Sequence, residues 1–283
     1  MGRHLHVAVP TRDFRAETLL SRAVHAGQDG RMGGDFLEGV GQWLERSGHA
    51  FELRTARAFR KGGAKPVTLS FTYTDGNTGA LREGDVLAEY SWTAMNNTPA
   101  SIEVVAECKS GRDHPWVAFY DRAAPGGTAL SDWVYQAHGP FVGVTEPLAD
   151  AWIGAPPFDD LQAASHLVAA HTKDSHNPAG DAVRQVLSAA EGRWQRYISR
   201  QSREPRGCVI IPVVITAGRL VSCRLGPDGE MRLEEVSSAV VLGARLGEKP
   251  ARVHVVTEGA VTGFARSILG LATRADEQVR FPG

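Results

Sequence analysis

Nine consecutive residues, Cys208-Val-Ile-Ile-Pro-Val-Val-Ile-Thr216, are apolar on both faces of any strand they form. A strand with one wet face alternates apolar and polar residues, whereas a strand covered on both faces reads as an unbroken apolar run. This segment therefore needs a sheet with cover on both sides, which helices provide in α/β proteins. Pro212 complicates the reading, because proline lacks a ladder donor and points to an edge or a bulge.

The remaining sequence supplies candidate helices and partner strands. Phe36, Val40, Trp43 and Leu44 fall at helical spacing behind Asp35 as N-cap, with Ser47-Gly48 as the stop. Phe51 to Phe59 has period-two character and reads as a strand. Val67–Thr74, Asp85–Trp92 and Ser101–Lys109 follow as an antiparallel meander, with Asp75-Gly76 and "NNTP" as turns. Ahead of these lie a short strand at His6–Pro10, an amphipathic piece around Glu17–Val24 and a Gly-rich break at 27–34. Between 111 and 180, Trp116–Tyr120 reads as a strand, and Asp132–His138 and Asp160–His171 as helices.

Asp181–Arg200 reads as a long helix with Val183, Val186, Leu187, Ala190, Trp194 and Ile198 on one stripe. Ala217-Gly218 and Asp228-Gly229 read as hairpin turns before strands near 219–225 and 230–236. Arg252–Thr257 and Gly259–Ala272 read as a last strand and helix. No G-x-G-x-x-G follows a strand and no G-x-x-x-x-G-K-[ST] is present, so the dinucleotide and nucleoside-triphosphate loops are excluded.

A net charge of -1 over 283 residues argues against a purely electrostatic nucleic-acid binder, but the charge is segregated. Arg54, Arg57, Arg60, Lys61 and Lys65 come without an intervening acid. The stretch Arg184 to Arg206 holds six arginines, among them Arg193, Arg196 and Arg200, against Glu191 and Glu204. Either cluster can face a phosphate backbone or be a solvated face; Arg54, Arg57, Arg60, Lys61, Arg193, Arg196 and Arg200 are the candidate nucleic-acid contacts. Three scattered cysteines make neither a disulfide framework nor a zinc site and point to a reducing, cytoplasmic setting. No leader pattern is seen at the start, and no apolar run approaches the roughly 20 residues that span a bilayer, so no membrane partner is expected.

The chemistry concentrates at the end of one strand, Ile102-Glu-Val-Val-Ala-Glu-Cys-Lys-Ser110. Side chains alternate along a strand, so Glu107 and Lys109 share a face and Cys108 takes the other. In an antiparallel pair with the preceding strand, Asp85 lies beside Glu107 at the same sheet end. Two converging carboxylates repel unless a cation lies between them. A hard divalent ion takes carboxylate oxygens together with a carbonyl such as that of Cys108. Lys109 is placed to orient or deprotonate an attacking water or to stabilise developing phosphorane charge.

Gly84-Asp85, a spacer of about twenty residues, and Glu107-Cys108-Lys109 resemble the motif of the PD-(D/E)xK, or restriction-endonuclease-like, nuclease superfamily. The helix "FLEGVGQWLERSG" ahead of them matches the family's first helix, with Glu38 at the position of its glutamate. The resemblance covers about 36–110 by motif and 181–225 by element order alone. It implies an α/β fold with a mixed central sheet flanked by helices. It also implies divalent-metal-dependent phosphodiester hydrolysis, Asp85 and Glu107 as ligands of Mg²⁺ (or Mn²⁺), Lys109 as catalytic lysine and Glu38 as supporting acid.

On this reading, 1–34 is an N-terminal extension, 35–225 the nuclease-like core with an insertion at about 111–180, and 226–283 a C-terminal strand-helix extension. The chain departs from the pattern at Gly84, where the family name has proline, and in the length of the insertion. The expected activity is a DNA endonuclease of restriction, repair or defence type. The alternatives are a catalytically inactive nuclease-fold module that binds DNA or assembles with a partner protein, and a non-nuclease metal hydrolase. Homodimerisation stays open.

Overall fold

The computed structural model describes residues 32–76, 78–93, 99–120, 136–138, 152, 155–158, 162–172, 177–200, 207–243 and 251–280. The strand at His6–Pro10, the piece at Glu17–Val24 and the turn before Pro99 lie outside the described residues. The chain divides after Leu44 into two compact units. The described part of the first is residues 32–44 of helix α1 (Met32–Ser47). Asp35 lies in its first turn, Gln42 donates to Glu38 at 3.3 Å, and Phe36, Leu37 and Trp43 are exposed. Gly48, at φ 88, takes the left-handed conformation that ends the helix.

Helix α2 (His49–Lys61) follows in the second unit, where a strand was expected. The buried residues Phe51, Thr55, Ala56 and Phe59 recur at helical intervals. Leu53, which completes the period-two pattern, is 53% exposed. Burying two phenylalanines on one helix face is worth about 1.5–3 kcal/mol each, which outweighs the local alternation.

Strands β1 (Val67–Thr74), β2 (Leu81–Thr93) and β3 (Pro99–Lys109) form the expected antiparallel meander. Next come β4 (Trp116–Tyr120), β5 (Gln136–His138), β6 (His166–Ala169), α3 (Pro178–Arg200) and β7 (Gly207–Thr216). They are followed by β8 (Leu220–Leu225), β9 (Met231–Val236), β10 (Ser238–Gly243), β11 (Ala251–Thr257) and α4 (Val261–Arg280). The central sheet is mixed, in the order β1-β2-β3-β7-β11-β10, with β5 also on β7. β7 runs parallel to both β3 and β11.

Every residue of β7 is buried, as its double-sided apolar run requires. Pro212 marks neither an edge nor the end of the strand. On one flank β7 meets β5 at 208–210 and then β11 at 213–216, and Pro212 falls between these registers, where its missing N–H interrupts neither.

Helices cover both faces. Phe51 and Phe59 of α2 and Phe264 and Ile268 of α4 pack on Ile102, Val104, Val209 and Ile211. Val186, Leu187 and Trp194 of α3 pack on Val105, Ile210, Val214 and Val253. Of the expected α3 stripe, Ile198 alone is exposed. The C-terminal end of α2 lies against α4 so closely that a Cβ on Gly62 would fall 2.2 Å from that of Ala265.

A second, four-stranded sheet has the order β6-β4-β8-β9. Within Asp160–His171, expected as a helix, residues 166–169 form β6, where Leu167 and Ala169 are buried in alternation, and residues 160–161 lie outside the described residues. Residues 136–138, expected within a short helix, form β5. Ala217-Gly218 is not a hairpin turn: it carries the chain from β7 in one sheet to β8 in the other. β8 and β9 do form a hairpin around Asp228-Gly229. No described helix is long and apolar enough to cross a membrane.

Candidate functional site

The site begins where two strands part. β3 stays paired with β7 as far as Lys109, but its pairing with β2 ends at Val86 opposite Ala106. β2 meanwhile continues along β1 to Leu81. One residue into the resulting notch, the Asp85 carboxylate takes over as ladder partner, with Oδ2 accepting the Cys108 N–H at 2.6 Å. An extended residue directs its N–H and C=O to the same flank, so the Cys108 carbonyl faces the notch as well.

Alternation sets the faces. Glu107 and Lys109 lie in step with Val105, on the α3 side of the sheet. Lys109 Nζ donates to Glu107 Oε1 at 2.7 Å and to Gln185 Oε1 of α3 at 2.8 Å. Cys108 packs against the opposite core. Gly84 is forced by its cross-strand partner: a Cβ there would fall 2.4 Å from the ring of Phe71. A proline, which also carries a Cβ, meets the same obstacle.

Asp85, Glu107 and Lys109 line a cleft of about 390 Å³ with Glu52, Asp113 and His114. Burial is the largest influence on Asp85 and pushes its carboxyl up to about 7. The neighbouring Glu107 charge adds to this and Glu52 contributes further, while the Cys108 N–H and Lys109 act in the opposite sense. The Cys108 thiol is pushed well above its ordinary value by burial first and Asp85 next, so it is not a thiolate nucleophile. Among the described residues no group of three or more His, Cys, Asp or Glu is arranged to hold a metal ion.

The other expected site residues separate. Glu38 is an exposed residue of α1. The acid that a sheet-packed helix brings to the cleft is Glu52, which also lies 3.6 Å from His49. The helical spacing of Phe51, Thr55, Ala56 and Phe59 was the signal that could have found it. Gln185 carried no comparable signal, since it differs from its α3 neighbours only in what it meets across the sheet.

Arg57, Arg60 and Lys61 are exposed on α2, whereas Arg54 is tied to Glu258 and Glu45. Arg193 does not face outward. Its guanidinium makes three hydrogen bonds of 2.7–2.9 Å to Glu103, a β3 residue 3% exposed, and is itself 14% exposed. Burial of Glu103 needs that countercharge, which removes Arg193 from the nucleic-acid contacts. Arg196 is exposed on α3, and the Arg200 side chain lies outside the described residues. Comparison with protein-family models, curated proteins and solved structures gives no match.

Proposed function

We propose that this chain is a divalent-metal-dependent nuclease of restriction-endonuclease-like fold that hydrolyses phosphodiester bonds in DNA. The observation that carries the reading is the β2–β3 notch, where Asp85 and Glu107 meet the Lys109 ammonium in one cleft. A helix-flanked mixed sheet whose antiparallel meander ends in Glu107-Cys108-Lys109 supports the fold assignment.

The donor set fits a hard cation. Two carboxylates and a main-chain carbonyl are oxygen ligands, and the Asp85 carboxyl, raised by burial first and by the Glu107 charge next, is one that a cation would help ionise. Asp85, Glu107 and the Cys108 carbonyl would hold Mg²⁺ (or Mn²⁺). When bound, such an ion supplies Lewis-acid stabilisation of charge on the phosphate. Lys109, steadied by Glu107 and Gln185, presents a cationic donor that orients the attacking water and stabilises developing oxyanion charge. Glu52 is placed to hydrogen-bond that water or accept its proton. The water oxygen bonds to phosphorus as the bond to the leaving oxygen breaks, and that oxygen takes up a proton.

The test is cleavage of plasmid, linear and single-stranded DNA, with RNA alongside, by wild type, Glu107→Ala and Lys109→Ala with Mg²⁺ or Mn²⁺. The expected result is metal-dependent cleavage by wild type and a loss of about 100-fold or more in both variants. Equal activity in all three sinks the site. Binding without cleavage on every substrate favours the inactive binding module.

A further inference from the structure

The chain carries a formal net charge of -1, yet one helical layer is strongly basic. Residues 53–65 of α2 and the following turn contain Arg54, Arg57, Arg60, Lys61 and Lys65 and no acid. Residues 261–275 of α4 contain Arg266 and Arg274 and no acid. The two helices pack together on the same face of the sheet, with Gly62 against Ala265 and Gly63 against Leu269, so their charges add on one surface.

Arg57, Arg60, Lys61, Lys65 and Arg266 are exposed and make no ion pair among the described residues. Along the α2 helix Arg54, Arg57 and Lys61 form one row at i, i+3 and i+7. The opposite face differs. There α3 pairs Arg184 with Asp181 and commits Arg193 to Glu103, and it carries Glu191 as well.

The row also has a direction. Glu52, one turn into α2, lines the cleft, and Lys61 closes the helix nine residues later, about 14 Å along its axis. At 3.4 Å per nucleotide step that distance matches about four steps of a duplex. At the near end, Arg54 borders a polar hollow formed in part by Ser110, Gly111 and Asp113, which also border the cleft. Arg54 is tied to Glu45 and Glu258, but beyond it Arg57, Arg60, Lys61 and Lys65 make no ion pair among the described residues and have no acid between them, which makes this end of the layer complementary to a phosphodiester backbone.

We propose that the α2–α4 layer is the surface on which nucleic acid docks, held through its backbone phosphates by Arg57, Arg60, Lys61, Lys65 and Arg266, and that α3 takes no part. The inference rests on the proposed function only in taking the substrate to be a nucleic acid. It assigns Lys65 and Arg266 to the interface and directs the strand along α2 away from Asp85 and Glu107.

The experiment is fluorescence anisotropy of a labelled 30-base-pair duplex in chelator, titrated from 50 to 300 mM KCl. The proteins are wild type, Arg57→Gln/Lys61→Gln, Arg266→Gln and the α3 control Arg184→Gln, each checked for an unchanged melting temperature. Each neutralised phosphate contact lowers the slope of log K against log salt by about 0.9. The double variant is expected to lose about 1.8 of slope and at least tenfold in affinity, Arg266→Gln about 0.9, and Arg184→Gln nothing. Unchanged slopes in both α2–α4 variants, an equal loss in Arg184→Gln, or no binding by wild type overturns the proposal. Binding with the expected slopes but no cleavage with added metal sinks the nuclease reading and leaves the docking surface standing. Cleavage with unchanged slopes does the reverse.

Discussion

Arg193 and Glu103 provide the sharpest test of how the interior is organised. Replacing Arg193 by alanine leaves a carboxylate that is 3% exposed on β3 without the guanidinium that makes three hydrogen bonds to it. Removing one partner of a buried pair costs about 3–5 kcal/mol. Arg193 retains some solvent contact, so the low end, about 3 kcal/mol, is expected. For a domain of 150–250 residues this lowers Tm by roughly 6–12 °C.

The deficit is pH-dependent. Glu103 already lies above its ordinary value, burial being the main cause and Arg193 the main opposing influence. A carboxyl raised in the folded state favours folding below its unfolded pKa, and that advantage is lost as pH rises through the folded pKa. Without Arg193 the rise is larger, so Arg193→Ala should fall furthest behind wild type near pH 7.5 and recover part of the gap by pH 5. Urea denaturation at both pH values measures this. The double variant Arg193→Met/Glu103→Leu removes both charges and should lie within about 1 kcal/mol of wild type or above it. Single-variant losses below about 1 kcal/mol, strict additivity in the double variant, or a deficit that grows toward pH 5 would refute the buried-pair account.

Three further outcomes are expected. Gly84→Ala drives a Cβ into the ring of Phe71 and should cost about 1–3 kcal/mol in denaturant titration, with Phe71→Leu recovering part of it. If Gly84→Ala is neutral, the close approach of β1 does not dictate that position. His254 is buried between Phe158 and Phe264, and burial, with the nearby Arg252 charge, pushes it down to about 4. The unfolded chain therefore binds a proton first, so stability present above about pH 6.5 is lost as pH falls toward 4, by about 3 kcal/mol. His254→Leu should flatten that stretch of the stability curve, and parallel curves for variant and wild type would show that His254 is not its source. In the cleavage assay Glu52→Gln should lose about 10–100-fold and Glu38→Gln less than twofold, and the reverse order would return the helix acid to α1.

The segments readable from sequence share a property: their burial pattern matches their local period. β7 is apolar on both faces and buried on both. β3 alternates correctly into its two cores, and α3 buries the Val183–Trp194 stripe. The misread segments are those whose pattern satisfies two periods or depends on distant partners. Phe51 and Phe59 are eight residues apart, which suits both a two-residue alternation and two helical turns. Only the sheet face beneath them decides between the two. β6 is short and its partner β4 lies some fifty residues earlier, so no local signal announces the pairing. Arg193 looks like any other arginine on a helix until Glu103, ninety residues away, turns it inward.

Such errors propagate into chemistry in a definite way. With 51–59 as a strand, the helix before the meander offers only Asp35, Glu38 and Glu45 as acids. With 49–61 as α2, Glu52 lines the same cleft as Asp85, while Glu38 lies on a separate helix. Asp85, Glu107 and Lys109 line one cleft because the β2–β3 pair ends beside them, and that pair is local to 85–109. A site residue is thus readable from sequence when local periodicity places it, and hidden when a long-range contact does. Gln185 illustrates the second case: nothing in the α3 sequence marks it, and its role beside Lys109 exists only because α3 crosses the end of β3.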